Sequence, residues 1–280
     1  MRLEDETLYA QTHYNLGECY LRQQAFRQAA HHSQEAISYF EPLLESDEQI
    51  RYWLAVSYNT LGEAQRAQKE DETAVASFLH AIEIIEKTDH TLYHTRFKSN
   101  LALAYESMEK LDQAAQQLEE SLALLQQTPY EIDKMRQQLN LGFIFMSQEK
   151  WDKAIEQLQT IDPVMLEECG QHFLSGLAHM NLGVALFNVS MYSAAIDHLE
   201  KSIPIWDKIK DSLCLGHTYG VLGKIFKAQN NTQLSKHYFL QAIEILHQCN
   251  HLIKAAELTQ QYQNQLSLLN CSTVEDTADS

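Results

Sequence analysis

An all-α solenoid of stacked helix pairs is the fold class this sequence predicts, and three observations carry the prediction. A Leu-Gly or Leu-Ala pair recurs as Leu16-Gly17, Leu61-Gly62, Leu101-Ala102, Leu141-Gly142, Leu182-Gly183 and Leu222-Gly223. The leucines are spaced 45, 40, 40, 41 and 40 residues apart, the period of one structural unit stacked six times. Other positions repeat in the same register. Four residues after the Leu stand Tyr20, Tyr105, Phe145, Leu186 and Phe226, with Gln65 departing; thirteen after stand Ala29, Ala74, Ala114, Ala154 and Ala195, with Ser235 departing. Small residues suit places where two helices cross closely and large ones fill the gaps, so each unit reads as two antiparallel helices. Finally, the 280 residues include only 9 Gly and 4 Pro, as a nearly all-helical chain requires.

The elements follow in order. The first repeat covers about residues 4–45, with helices from Glu4 to Gln23 and from Phe26 to Leu44. Glu45-Ser46-Asp47-Glu48 carries the extra residues of the first interval and predicts an exposed loop, with Ser46 or Asp47 as the next helix N-cap. Repeats two and three span about 48–87 and 91–127. Thr128-Pro129 opens the fourth, 129–161, with Pro129 read as a first-turn residue, and Asp162-Pro163 opens the fifth, 163–210, in the same way. The fifth repeat's first helix is expected to be long, to about Asn188, and Pro204 to bend its second or break a turn of it. The sixth repeat covers 211–248. Residues 251–269 carry an apolar stripe (Leu252, Ala256, Leu258, Tyr262, Leu266 and Leu269) and predict a lone helix capping the end of the stack. The acidic tail 270–280 reads as disordered. With no composition break and no Gly/Ser linker, residues 1–269 read as one solenoid.

These residues resemble the tetratricopeptide repeat, or TPR. That family shows a Leu-Gly pair, an aromatic three residues after the Gly and small residues in the second helix, as in NLGECYLRQQAFRQAAHHSQEAISYF. The resemblance covers about residues 7 to 250 and implies a right-handed superhelix of six helix pairs plus the C-terminal cap. The forty-residue period is similar to that of the arrays in kinesin light chain, in polarity adaptors with GoLoco partners and in quorum-sensing regulators of the Rap and PlcR kind. The helix-turn-helix that precedes the repeats in PlcR-like regulators has no match here, nor does the helical bundle that precedes them in Rap proteins.

Charge narrows the function classes. The formal charge is −17, from 21 basic and 38 acidic residues, which disfavours binding driven by nucleic-acid phosphates or by an anionic membrane. The N-terminus shows no secretory pattern, no run approaches a membrane span, and the five scattered cysteines form no CxxC pair; the expectation is a cytoplasmic protein with reduced thiols.

The candidate site lies on the first helices of the repeats. Positions −5, −1, +2 and +6 from each Leu step by four, three and four, so they form one helical stripe facing away from the partner helix. At −1 stand Asn15, Thr60, Asn100, Asn140, Asn181 and Val221. An Asn amide offers a donor and an acceptor, matching the N–H and C=O of an extended peptide. In the resembled families a ladder of such asparagines holds a bound peptide, which the resemblance implies for Asn100, Asn140 and Asn181. Around them, Leu103, Phe143, Met146, Val184 and Phe187 supply apolar contacts, and Arg96 and Arg136 could pair with an acidic group of a partner. The same residues could equally pack on neighbouring helices or neutralise nearby Glu.

Other chemistry finds little support. His90 with His94, and His247 with His251, fall at i, i+4, but without further ligands at a recognised spacing, so no metal is expected. No phosphate loop or nucleophile elbow occurs, and Gly216, Gly220 and Gly223, at helical spacing, read as permitting close packing. The sequence therefore points to a non-catalytic, cofactor-free interaction module. It would bind an extended peptide segment of a protein partner, one bearing negative charge, in a concave groove, as a cytoplasmic adaptor or scaffold. The alternative is the sensor part of a bacterial signal-peptide-responsive regulator.

Overall fold

The computed structural model describes residues 2–44, 47–249 and 253–278, with helix as their only regular structure. Fourteen α-helices are described: α1 (Arg2–Arg22), α2 (Phe26–Phe40), α3 (Glu48–Ala67), α4 (Asp71–Ile85), α5 (Thr91–Ser107), α6 (Leu111–Leu125), α7 (Glu131–Ser147), α8 (Trp151–Gln159), α9 (Pro163–Glu168), α10 (His172–Asn188), α11 (Tyr192–Ile209), α12 (Ser212–Ala228), α13 (Thr232–His247) and α14 (Ile253–Ala278). They group into two compact units, Met1–Gln148 and Glu149–Ser280, and the boundary falls in the turn after α7, inside the fourth repeat.

In the first unit α1 pairs with α2, α3 with α4 and α5 with α6, and each second helix also packs on the next first helix. The first helices touch one another as well, α1 on α3, α3 on α5 and α5 on α7, so they form a layer of their own. The core lies between the layers. Phe40, Phe78, Ile85, Phe97, Leu101 and Leu118 are buried there, and the small repeat positions Ala29, Ala74 and Ala114 are fully enclosed. The periodic glycines act as the sequence predicts: a Cβ on Gly62 would meet the Phe78 ring at 2.7 Å. Gln65, the departure from the large-residue position, accepts a hydrogen bond from the Ser77 hydroxyl at 2.7 Å.

The second unit repeats the arrangement with α10–α11 and α12–α13, while α8 and α9 pack on α10. Ser235, the other departure, is fully buried, and its hydroxyl donates to the Gly223 carbonyl at 2.8 Å. The helix α14 packs on α13 and touches α12, which puts it where a further repeat would place its first helix. Its buried stripe is Ala255, Thr259, Tyr262 and Leu269; Ala256 points to solvent, one residue off the predicted stripe, and Leu252 lies outside the described residues. Tyr262 enters a notch that exists only because residue 220 lacks a side chain. A Cβ there would stand 1.9 Å from the tyrosine Cζ, and Gly216 and Gly223 likewise admit Leu246 and Phe239.

One feature of the turns repeats six times. The residue eight after each repeat Leu is left-handed: Gln24, Lys69, Glu109, Glu149, Ser190 and Asn230, all with φ between 57° and 64°. None is Gly, although αL costs an ordinary L-residue about 1–2 kcal/mol. The conformation lets the next N–H bond back to the helix end, as from Ala25 to Tyr20 O (2.9 Å), Lys110 to Tyr105 O (2.8 Å) and Asn231 to Phe226 O (2.8 Å). This is the six-to-one closure of a Schellman turn, which satisfies a carbonyl the helix would otherwise leave open.

Four expectations need correction. Pro129 is not a first-turn residue, because α7 begins at Glu131; Pro129 sits in the preceding turn, where its carbonyl accepts from the Glu131 N–H. The fifth repeat's first helix is broken into α9 and α10 by Gly170, whose φ of +73° ends α9 with the same closure, Gln171 N to Leu166 O at 2.7 Å. Pro204 stands inside α11 without breaking it; the carbonyl that loses its donor belongs to the exposed Glu200, where solvent can replace it. The tail does not read as disordered, since α14 continues through Ala278: residues 270–278 hold no Gly or Pro, and extending a formed helix needs no new nucleus. Asp47 caps α3 as expected, its carboxylate accepting from Gln49 N; Pro163 stands in the first turn of α9 as expected, and the Asp162 carboxylate caps that helix by accepting from Val164 N and Met165 N; Glu45, Ser46, Asp279 and Ser280 lie outside the described residues.

Candidate functional site

In the first unit the layer of first helices carries a polar network running from repeat to repeat. Asn59 donates to Glu63 at 2.7 Å within α3, and Asn100 of α5 donates to both the Asn59 carbonyl oxygen (2.9 Å) and Glu63 (3.0 Å). Thr60 donates to Glu18 of α1 at 2.6 Å. One repeat further on, Ser99 donates to Gln137, and the Asn140 amide stands 3.5 Å from the Ser99 hydroxyl. The repeat period makes these bonds possible: partners lie 37 to 42 residues apart and meet only because adjacent first helices stack side by side.

The network borders a small cleft of about 20 Å³, lined by Tyr14, Glu18, Val56, Asn59, Thr60, Tyr93, Arg96 and Phe97. Burial raises the Glu63 carboxyl above its ordinary pKa, while the Asn59 hydrogen bond and the Arg96 charge act in the opposite sense. Burial also raises the Tyr14 phenol, with Glu18 adding to it. The Tyr52 hydroxyl donates to that of Tyr93 at 2.9 Å.

Each sequence-predicted residue can now be placed. Arg96, Asn100 and Leu103 stand on α5, and Arg136, Asn140, Phe143 and Met146 on α7, two helices in contact. Arg96 and Arg136 are exposed, and neither forms an ion pair among the described residues. Phe143 is 41% exposed, large for an apolar ring on a packed helix, while Leu103 and Met146 are half-buried. Asn100 and Asn140 are half-buried and already bonded inside the unit, so what they could offer a ligand is chiefly an amide oxygen. Asn181, Val184 and Phe187 stand on α10 of the second unit; Asn181 is buried, and the Phe187 ring lies 6.2 Å from Tyr192.

Sequence reasoning missed Asn59, which lies outside the −1 register, and the aromatic side of the cleft, Tyr14 and Tyr93. The i, i+4 pair Asn59 and Glu63 was the available signal. Lys98 was missed too: nearly buried, it bridges α5 to α6 through Glu120 (2.6 Å) and Gln117 (3.3 Å), and its hydrogen bond lowers the Glu120 pKa. Among the described residues no group of three or more His, Cys, Asp or Glu converges on a metal position, and no helix is long and apolar enough to cross a membrane.

Tetratricopeptide-repeat family models match residues 55–88, 97–128 and 174–248. No curated protein matches significantly. Among solved structures, BtubC (BKLC) from P. vanneervenii is similar at 18% identity with a TM-score of 0.69, over 81% of this chain and 93% of that one. The apo form of RapI aligns at 16% identity and TM-score 0.71 over 92% and 98%, and aspartyl phosphate phosphatase F from Bacillus subtilis at 14% and 0.66 over 94% and 72%. At such identities the likeness is one of fold. Repeat matches in both units, six turns of one conformation in one register and this shared architecture lead to one conclusion: the chain is a tetratricopeptide repeat protein.

Proposed function

We propose that this protein is a non-catalytic interaction module whose first-helix layer binds an extended segment of a partner protein. The observation that carries the reading is the face shared by α5 and α7. Two exposed arginines without ion pairs, Arg96 and Arg136, flank the asparagine row, and an exposed aromatic, Phe143, stands beside them. Exposed cations beside an apolar anchor and fixed amide groups are the elements of a peptide site. The arginines favour a segment bearing a carboxylate, which a guanidinium binds in two-point fashion. The role would be that of an adaptor or scaffold.

The test is selection of binders from a displayed library of random peptides, followed by fluorescence titration of the recovered peptides. Acidic sequences should dominate, and Arg96→Glu with Arg136→Glu should abolish their binding while helix content is unchanged. Recovery of mainly basic peptides, or equal affinity for the double variant, would overturn the reading.

A further inference from the structure

We propose that His13 and His32 form a chelating site for a late first-row divalent cation such as zinc or copper, linking α1 to α2. The observation is geometric and independent of the peptide reading. The Nδ1 atoms of the two rings stand 3.1 Å apart, one on each helix of the first pair. An ion placed 2.0–2.1 Å from both nitrogens, the usual metal–imidazole distance, would subtend roughly 100° between them, within reach of tetrahedral and octahedral geometry alike. Both rings are held in place. His32 stacks nearly parallel on Tyr20, at 5.2 Å and 6°, and His13 packs on Tyr9 at 4.5 Å. Both are also partly exposed, so water can complete the coordination.

The repeat register explains why the rings meet. They occupy the positions three before and sixteen after the repeat Leu, which meet across the helix pair in the first, third, fifth and sixth repeats. The same positions hold Lys98 and Gln117, in contact at 3.3 Å, and Tyr219 and Tyr238, stacked at 6.0 Å. Facing side chains are thus a property of the fold, whereas facing imidazoles are a property of this sequence. Histidines recur there in the fifth repeat, where His179 and His198 also stand Nδ1 to Nδ1 at 3.1 Å. The two pairs differ in their electrostatic surroundings. Lys201 weighs on both rings of the second pair and is ion-paired with Asp197 at 2.7 Å, while Glu167 also acts on His179. Around His32 the influences are His13, His31 and Glu35, with no ammonium among them. The ammonium weighs against a cation at the second pair, which makes it a built-in comparison.

Binding balances simply. Without metal, one neutral ring donates its Nδ1 proton to the other's Nδ1. With metal, the donor ring takes its proton on Nε2 instead, both Nδ1 lone pairs face the ion, and no proton need be released when both rings are neutral.

The test uses the full chain. Calorimetric titration with zinc should show a site weakened at least about tenfold by His13→Asn or His32→Asn, since even loss of a supporting residue around a metal can cost that much. His198→Asn should leave that site intact, and circular dichroism should confirm that each variant folds. A second readout needs no variant: zinc should shift the imidazole 15Nδ1 resonances of His13 and His32 first, and copper should give an electron-spin spectrum with two imidazole nitrogens. Zinc affinity equal in wild type and the His13→Asn, His32→Asn double variant, or first shifts at other histidines, would overturn the proposal.

Discussion

The two units use one repeat register for different ends. In the first, the face of α3, α5 and α7 is polar and linked across repeats, through Asn59, Glu63, Asn100, Ser99 and Asn140, with two arginines and Phe143 left exposed. In the second, the corresponding positions on α10 and α12 hold Leu177, Asn181, Val184, His217, Val221 and Lys224, and α12 is packed by a further helix, Gly220 admitting Tyr262 of α14. Helix pairing is satisfied in both, so the stripe that faces away from the partner helix is free to vary. Where it is polar and open, a ligand has groups to meet; where a further helix covers the stack, the same layer serves stability.

Three pairs of substitutions would break or sharpen this contrast. The largest effect belongs to the second unit. Tyr262 is fully buried against Phe239, so Tyr262→Ala should cost about 3–5 kcal/mol and free α14. Gly220→Val should act in the same direction by expelling the ring. Urea denaturation followed by a probe in each unit checks it: the transition of residues 149–280 should fall well ahead of that of 1–148. Equal loss in both would mean that the units unfold as one and that the contrast has no energetic counterpart.

Next in size is the polar network of the first unit. Asn59→Ala removes a donor to Glu63 and an acceptor of Asn100 together, which should cost about 1–3 kcal/mol because a half-buried carboxylate loses a partner. Phe143→Ala, at an exposed ring, should change stability by only about 0.5 kcal/mol or less and act instead on peptide affinity. Thermal melts with and without a selected peptide separate the two. A stable Asn59→Ala would show the network to be decoration.

The smallest effect concerns the left-handed turns. Relief of αL strain, about 1–2 kcal/mol, less the added flexibility of Gly in the unfolded chain, about 0.5–1 kcal/mol, makes Glu109→Gly stabilising by about 0.5 kcal/mol. Asn230→Gly, the equivalent change in the second unit, should be nearly neutral, since Asn tolerates that conformation. Matched chemical denaturation of the two variants resolves the difference; a larger gain at Asn230 would refute the strain argument.

Several of these features could be read in the chain and several could not, for identifiable reasons. Asp47 and Pro163 announce their helices because a carboxylate cap and a first-turn proline are local matters. Pro129 was assigned to a helix because Pro is common both in a first turn and in the turn before it. Gly170 ends a helix while α11 runs on through Pro204, because a breaker's effect depends on what can replace the lost hydrogen bond. Gln24, Lys69 and Glu109 give no compositional hint of positive φ; only their shared register does. At the site, the stripe of Asn and Arg was visible from spacing. That Asn100 is already committed to Asn59 and Glu63 was not, because those partners lie 37 and 41 residues away.

The sequence by itself determined the period, the pairing of helices and the glycines at their crossings. Those features follow from the size and polarity of residues three or four apart, which local geometry converts directly into a buried face. Only the tertiary structure decided which polar groups are bonded inside the protein and which are left exposed. It also decided that two pairs of imidazoles meet, and that Tyr262 closes the end of the second unit. Each depends on the distance between side chains on neighbouring helices, a quantity of a few ångströms that the stacking of the pairs sets and that no spacing along the chain contains.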